Sequence, residues 1–236
     1  MAEVLESLFT TNSHLLLYSL VGGILPALFW LWFWLREDAN HPEPRWLIFW
    51  TFIAGAASTA IALPLEWLAR DIIPGGLALI IAWALIEETS KYGAAHFTAF
   101  KTKDFDEPID ALIYLITASL GFSATENVLF LIKTIGAQGE LAGFLIGNVR
   151  FVGASLLHIV SSAFVGGAMA LAFYHGKTTR RLAVIFGIIG ATALHTAFNF
   201  FIIDGSGSAL AITLSLVWVC VIVLILFFEK AKTIRP

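Results

Sequence analysis

Seven apolar stretches divide the chain, at roughly 14–35, 46–69, 77–100, 109–133, 149–174, 181–203 and 208–228. About 20 helical residues, at 1.5 Å each, cross a hydrocarbon layer about 30 Å thick. Inside that layer every backbone N–H and C=O must be paired within protein, so segments of this length span it as helices. The fold class expected is therefore all-α: a polytopic membrane bundle with about seven transmembrane helices, set in a lipid bilayer. Composition agrees. Of 236 residues, 58% are hydrophobic and 13% charged, with a mean hydropathy of +0.85, whereas soluble domains run at about 45–50% apolar and about 25% charged. No internal repeat, low-complexity tract or flexible linker breaks the pattern, so a single domain over 1–236 is expected, with its core over about 77–203.

Net charge is −3, which offers no footing for nucleic acid. Cys220 is the only cysteine, so no internal disulfide can form, and nothing in the residues sets an oligomeric state. Residues 1–13 hold Glu3 and Glu6 but no Lys or Arg, unlike the basic start of a cleavable signal peptide, and the first helix is expected to stay as an anchor. Pro26 and Pro64 are expected to kink the first two helices. Pro74-Gly75-Gly76 reads as a turn and Pro108 as a helix start.

Charge in the connections orients the bundle. One side holds Arg36, Arg45, Lys101, Lys103, Lys177, Arg180, Arg181, Lys230, Lys232 and Arg235; the other holds Arg70, Lys133 and Arg150. The positive-inside rule then places the N-terminus outside and the C-terminus in the cytoplasm, with a prokaryotic plasma membrane as the expected location. Tryptophans near span ends, from Trp30 to Trp34 and from Trp46 to Trp50, suit interfacial anchoring. Ile135–Asn148, with four glycines and the short apolar patch Leu141–Ile146, reads as a surface loop or a short helix dipping into the outer leaflet.

Against this background the run WALIEETSKYGA, Trp83 to Ala94, stands out. Glu87, Glu88 and Lys91 lie inside a span, where each charge costs about 2.5–3.5 kcal/mol on insertion scales. Lys91 is three residues after Glu88 and four after Glu87, so it reaches either, while the two carboxylates point about 100° apart. One can pair with Lys91 and the other face a cavity. Further polar groups lie in the next spans: Glu126 and Asn127 in FSATEN, His158 with Ser161 and Ser162, and His195 with Asn199 on one helical face. Counted from the outer ends of their spans, Glu87, Glu88, Glu126, His158 and His195 all fall roughly 10–17 Å deep. A single polar site in the outer half of the bilayer is the economical explanation.

Two chemistries suit such a site. Glu126, His158 and His195 match the three N/O ligands of a catalytic zinc, with a further carboxylate as general base; no HExxH helix is present. Without metal, a glutamate made basic by burial takes a proton from a water held by histidine, and His195 with Asn199 stabilises the oxyanion. Either route is hydrolysis, with zinc or without it, and a peptide bond in a membrane-spanning substrate is within reach.

At these residues the chain resembles a known family. Glu87-Glu88-x-x-Lys91, Phe122-x-x-x-Glu126-Asn127, the spacing from Arg150 to His158, and His195-x-x-x-Asn199 look like the PrsW family of intramembrane proteases, related to the CAAX prenyl proteases. Asp106-Glu-Pro-Ile-Asp110 is similar too, and the resemblance runs from about Ile80 to Phe200. It implies that Glu87 and Glu88 supply the base and a second polar contact, that His158 and His195 bind metal or water, and that Asn199 assists the oxyanion. Glu126 stands where CAAX proteases carry histidine. The implied partner is a membrane-anchored protein, cut near its extracytoplasmic side, as an anti-sigma factor would be.

Three other classes compete with hydrolysis. A proton- or ion-coupled transporter should show repeated hydropathy halves or matched broken helices, and neither is present. A non-catalytic membrane scaffold has no need of a paired base. A retinal protein would need a lysine inside 208–228, which holds none.

Overall fold

Helix boundaries follow the punctuation in the sequence. The structure, a computed structural model, describes residues 13–39, 41–139, 141, 143, 153–203 and 207–235. Seven α-helices occupy them: α1 Ser13–Leu35, α2 Arg45–Ile72, α3 Gly76–Thr98, α4 Asp110–Gln138, α5 Ala154–Leu171, α6 Lys177–Ile203 and α7 Gly207–Ala231, with no strand among the described residues. Each coincides with an expected apolar stretch to within a few residues. Six are long and apolar enough to cross a membrane. The other is α3, the carrier of Glu87, Glu88 and Lys91.

Local chemistry explains the breaks. Gly75 and Gly76 take φ of +93° and +67°, a left-handed backbone that glycine adopts without a Cβ penalty, and this turns α2 into α3. Gly139, at φ +87°, ends α4 in the same way. Arg150 and half of Ile135–Asn148 lie outside the described residues. Pro26 and Pro64 lie inside α1 and α2.

The axis of the bundle is α4, buried without a gap from Asp110 to Ala124. It packs on α1, α2, α3 and α5, while α6 closes against α3 and α5. Where α2 crosses α4, a Cβ on Gly55 would strike the Ala118 carbonyl and one on Gly121 would strike the Phe52 carbonyl. Both glycines let the two backbones touch, the usual device for close helix packing in lipid. The outer faces carry exposed Leu17, Trp50, Ile72, Phe186, Ile212 and Leu226, as a lipid-facing surface requires.

The Asp106–Asp110 lead ties the α1–α2 connection to the start of α4. Asp110 Oδ2 accepts from the backbone N–H of Asp106 (2.9 Å) and Glu107 (2.7 Å), Tyr114 Oη donates to Glu43 Oε2, and His41 Nδ1 lies 2.8 Å from Glu107 Oε1. Burial, helped by neighbouring Asp110, pushes the Glu43 carboxyl up to about 9. Between its ordinary value near 4.5 and about 9, the folded chain holds a proton there that the unfolded chain releases. Stability therefore falls as pH rises through that window. Glu43→Gln should flatten the decline: melting curves of variant and wild type coincide near pH 4.5 and separate by pH 8.5, with the variant melting higher.

Candidate active site

Helical spacing on α3 places three ionisable groups on the inward side, and all are buried: Glu87 6%, Glu88 1% and Lys91 0% exposed. Lys91 Nζ donates to Glu88 Oε1 at 2.8 Å and to Glu87 Oε2 at 3.3 Å. It also donates to His158 Nδ1 on α5, at 2.7 Å. The Phe122 ring of α4 lies 4.7 Å from the same ammonium, adding a cation–π contact in a desolvated setting.

The two glutamates are not equivalent. Glu88 Oε1 accepts from Lys91, from Ser161 (2.9 Å) and from His195 Nδ1 (2.8 Å), and its Oε2 accepts from Ser162 (3.1 Å). Four donors saturate it. Glu87 has the long bond from Lys91, and its Oε2 lies 3.8 Å from His158 Nδ1 and 3.7 Å from His195 Nε2. Those last two separations exceed a hydrogen bond and suit a small species held between the groups.

The histidines are oriented by what they touch. Glu88 is an acceptor, so His195 carries its proton on Nδ1 and presents the Nε2 lone pair toward Glu87. His158 accepts from Lys91 at Nδ1, and its Nε2 meets Glu126 Oε2 at 2.7 Å. The two rings meet edge to face, 5.2 Å between centroids. Asn199 sits half-buried one helical turn beyond His195.

Thus α3, α4, α5 and α6 do bring Glu87, Glu88, Glu126, His158 and His195 into one cluster, with Lys91, Ser161 and Ser162 inside it. One acidic neighbour of the cluster was missed in the sequence. Glu66 of α2 lies near enough for its charge to act on Glu87 and Glu126, and Trp83 Nε1 on α3 donates to the Glu66 carbonyl at 3.0 Å. The signal was available, since Glu66 is the only charged residue in the 46–69 stretch. Phe122 was visible in a motif, but its role under Lys91 was not. Asn127 Nδ2 donates to Ser155 Oγ (3.2 Å) and Ser123 Oγ (3.4 Å), pinning α4 to α5 beside the site.

Two buried carboxylates, Glu87 and Glu88, share one ammonium group here, with the part-exposed Glu66 and Glu126 close by. Buried negative charge in excess requires either bound protons or a cation. Among the described residues, Glu87, His158 and His195 each offer one ligand atom, and these atoms lie within 4.8 Å of one another. Two imidazoles and a carboxylate form a donor set that suits a divalent metal. Glu126 stands just behind this trio, on the far nitrogen of His158.

The family model described as "PrsW family intramembrane metalloprotease" matches residues 43–227. The chain belongs to the PrsW family. That span contains every site residue named above. "Protease PrsW" of Oceanobacillus iheyensis is 28% identical over 186 residues, which is 78% of this chain and 82% of that protein. "Protease PrsW" of Geobacillus kaustophilus is 27% identical over 166 residues, 68% and 67% of the two chains. "Protease PrsW" of Bacillus subtilis is 24% identical over 148 residues, 55% of this chain and 68% of its own. No solved structure matches. As a PrsW-family member with its helices built for a bilayer, the chain is an integral membrane protein and an intramembrane peptidase.

Proposed function

We propose that this PrsW-family peptidase hydrolyses a peptide bond of a membrane-anchored protein near its extracytoplasmic side, with Glu87 taking the proton from the attacking water. The observation that carries this reading is the contrast within the glutamate pair. Glu88 spends its lone pairs on Lys91, Ser161, Ser162 and His195, whereas Glu87 Oε2 and His195 Nε2 are two acceptors 3.7 Å apart. One water can bridge that gap, donating to both. Glu87 then accepts the proton as the oxygen attacks the amide carbon and returns it to the leaving amine. Glu88 holds His195 in the tautomer that leaves Nε2 free, and Asn199 is assigned to the carbonyl oxygen as charge develops on it.

The cluster also fits zinc. Its ligands would be Glu87, His158 and His195, whose spacings of 3.7 and 3.8 Å from Glu87 Oε2 compare with about 3.3 Å between ligands around tetrahedral zinc. Ligation through His158 Nδ1 requires Lys91 to fall back on Glu88. When bound, zinc supplies Lewis acidity at the scissile carbonyl. The orientation proposed is N-terminus outside and C-terminus cytoplasmic, because ten of the basic residues outside the spans cluster on one side and three on the other.

The test uses the purified full chain in proteoliposomes with a tagged single-span protein. Cleavage on the extracytoplasmic side of the span is expected, with no ion flux. Flux without cleavage overturns the reading in favour of a transporter. Metal content and a chelator arm separate the two routes. Cleavage that persists in metal-free protein keeps Glu87 as base without metal, and loss on chelation with recovery on added zinc establishes the metal route.

A further inference from the structure

We propose that the apolar groove between α3 and α6 is where the transmembrane segment of the protein substrate docks, and that Thr192 and Thr196 hold its backbone beside the reacting groups. The inference rests on the protease reading above and goes beyond it by naming the entry face and two positioning residues.

The groove has a volume of about 630 Å³, well within the range of about 300–1,000 Å³ typical of binding sites. Leu77, Ile81 and Leu85 line one wall and Ile189, Phe200 and Phe201 the other, and no lining residue is charged. The three leucine and isoleucine positions repeat every four residues along α3, so they form one continuous face. That face starts in the first turn of α3 and reaches Leu85, one turn before Glu88. On α6 the floor is Thr192, Ala193, Thr196 and Ala197, which bracket His195. The groove therefore leads from one end of the helices to the level of the site.

The floor distinguishes one occupant from another. Thr192 and Thr196 are 7% and 6% exposed, and neither Oγ1 has a hydrogen-bond partner among the described residues. Helical threonines commonly return their hydroxyl to the carbonyl one turn back, as Thr98 does to Ala94 and Thr117 to Ile113 here, both at 2.7 Å. Thr192 and Thr196 do not, although both residues line the groove; their hydroxyls are buried at its floor, one side-chain rotation from its interior. A lipid acyl chain filling the groove would leave both hydroxyls unsatisfied, at the cost any buried unpaired polar group carries. A peptide segment opened for hydrolysis presents bare N–H and C=O groups at that depth, and these satisfy the hydroxyls. Ala193 and Ala197, also one turn apart, let a second backbone approach closely. The apolar walls take the helical part of the segment and the threonines take the unwound part.

A photo-crosslinking residue placed at Ile81 or Ile189, in full-length protein carrying Glu87→Gln to stop turnover, tests the docking. Trp50 and Ile222, exposed on α2 and α7 at 55% and 57%, serve as lipid-facing controls. With the tagged single-span protein in the same proteoliposomes, covalent adducts to that protein are expected from the groove positions and not from the controls. Adducts to lipid alone at the groove positions, or equal protein adducts at the controls, overturn the proposal. Adducts without cleavage by the unmutated enzyme would sink the protease reading and leave the groove standing; cleavage without groove adducts would do the reverse.

The hydroxyls are tested by Thr192→Val with Thr196→Val, which keeps the side-chain shape. A fall in kcat of roughly tenfold is expected, from two lost hydrogen bonds. KM should stay within about twofold, adduct yield should be unchanged, and Thr→Ser at both positions should restore the rate. An unchanged kcat in the valine protein, or a change in KM alone, removes the threonines from the proposal.

Discussion

Glu87→Gln lowers the rate of substrate cleavage by about three orders of magnitude, the middle of the range for a lost general base, while the protein still inserts and melts within a few degrees of wild type. The substitution is nearly isosteric. Its carbonyl oxygen can still accept the 3.3 Å contact from Lys91, the one hydrogen bond the Glu87 side chain makes among the described residues. What disappears is the ability to take up a proton or to offer a charged oxygen to a ligand. Initial rates on the tagged substrate, beside size-exclusion profiles and melting curves, check the result. A rate within tenfold of wild type would remove Glu87 from the chemistry under either route. Glu88→Gln behaves differently. It also stops turnover, but it lowers stability as well, because an amide nitrogen cannot accept from Ser162 and Lys91 loses the closer of its two carboxylate partners.

Lys91→Met has the largest expected effect on the fold. Lys91 is fully buried, pairs with both Glu88 and Glu87, and donates to His158. Removing one partner of a buried pair leaves an uncompensated charge and costs about 3–5 kcal/mol, a large part of a total stability of about 5–15 kcal/mol. The variant should accumulate poorly and melt far below wild type. Because the loss comes from stranded negative charge more than from missing contacts, adding Glu88→Gln should recover part of it. The double variant should remain inactive, since His195 loses its charged acceptor at Nδ1. Thermal melts of the single and double variants in one detergent measure the coupling. A double variant no more stable than Lys91→Met would mean that packing, not charge, is what Lys91 provides.

Much of this protein was written in one dimension. Helix positions depend on runs of apolar residues matched to the thickness of the bilayer, a local property of the chain, and α1 to α7 fall where those runs lie. The pairing of Lys91 with Glu87 and Glu88 is equally local, because spacings of three and four residues on one helix bring those side chains within reach. The gathering of Glu126, His158 and His195 followed from depth alone, since side chains at one level in adjacent antiparallel helices have few other places to meet. Residue order could not say which glutamate is occupied and which is open. That depends on how far α5 and α6 are rotated about their own axes, bringing Ser161, Ser162 and His195 onto Glu88 and not onto Glu87. Rotation is set by the sum of many contacts around α4, including the crossing at Gly55 and Gly121, and no single motif encodes it. The same holds for Glu66, which joins the cluster only once α2 and α3 are packed, and for the groove whose two walls lie more than 100 residues apart in the chain. Hydrophobic length and helical period act within a segment; the partners of each polar group are a property of the packed bundle.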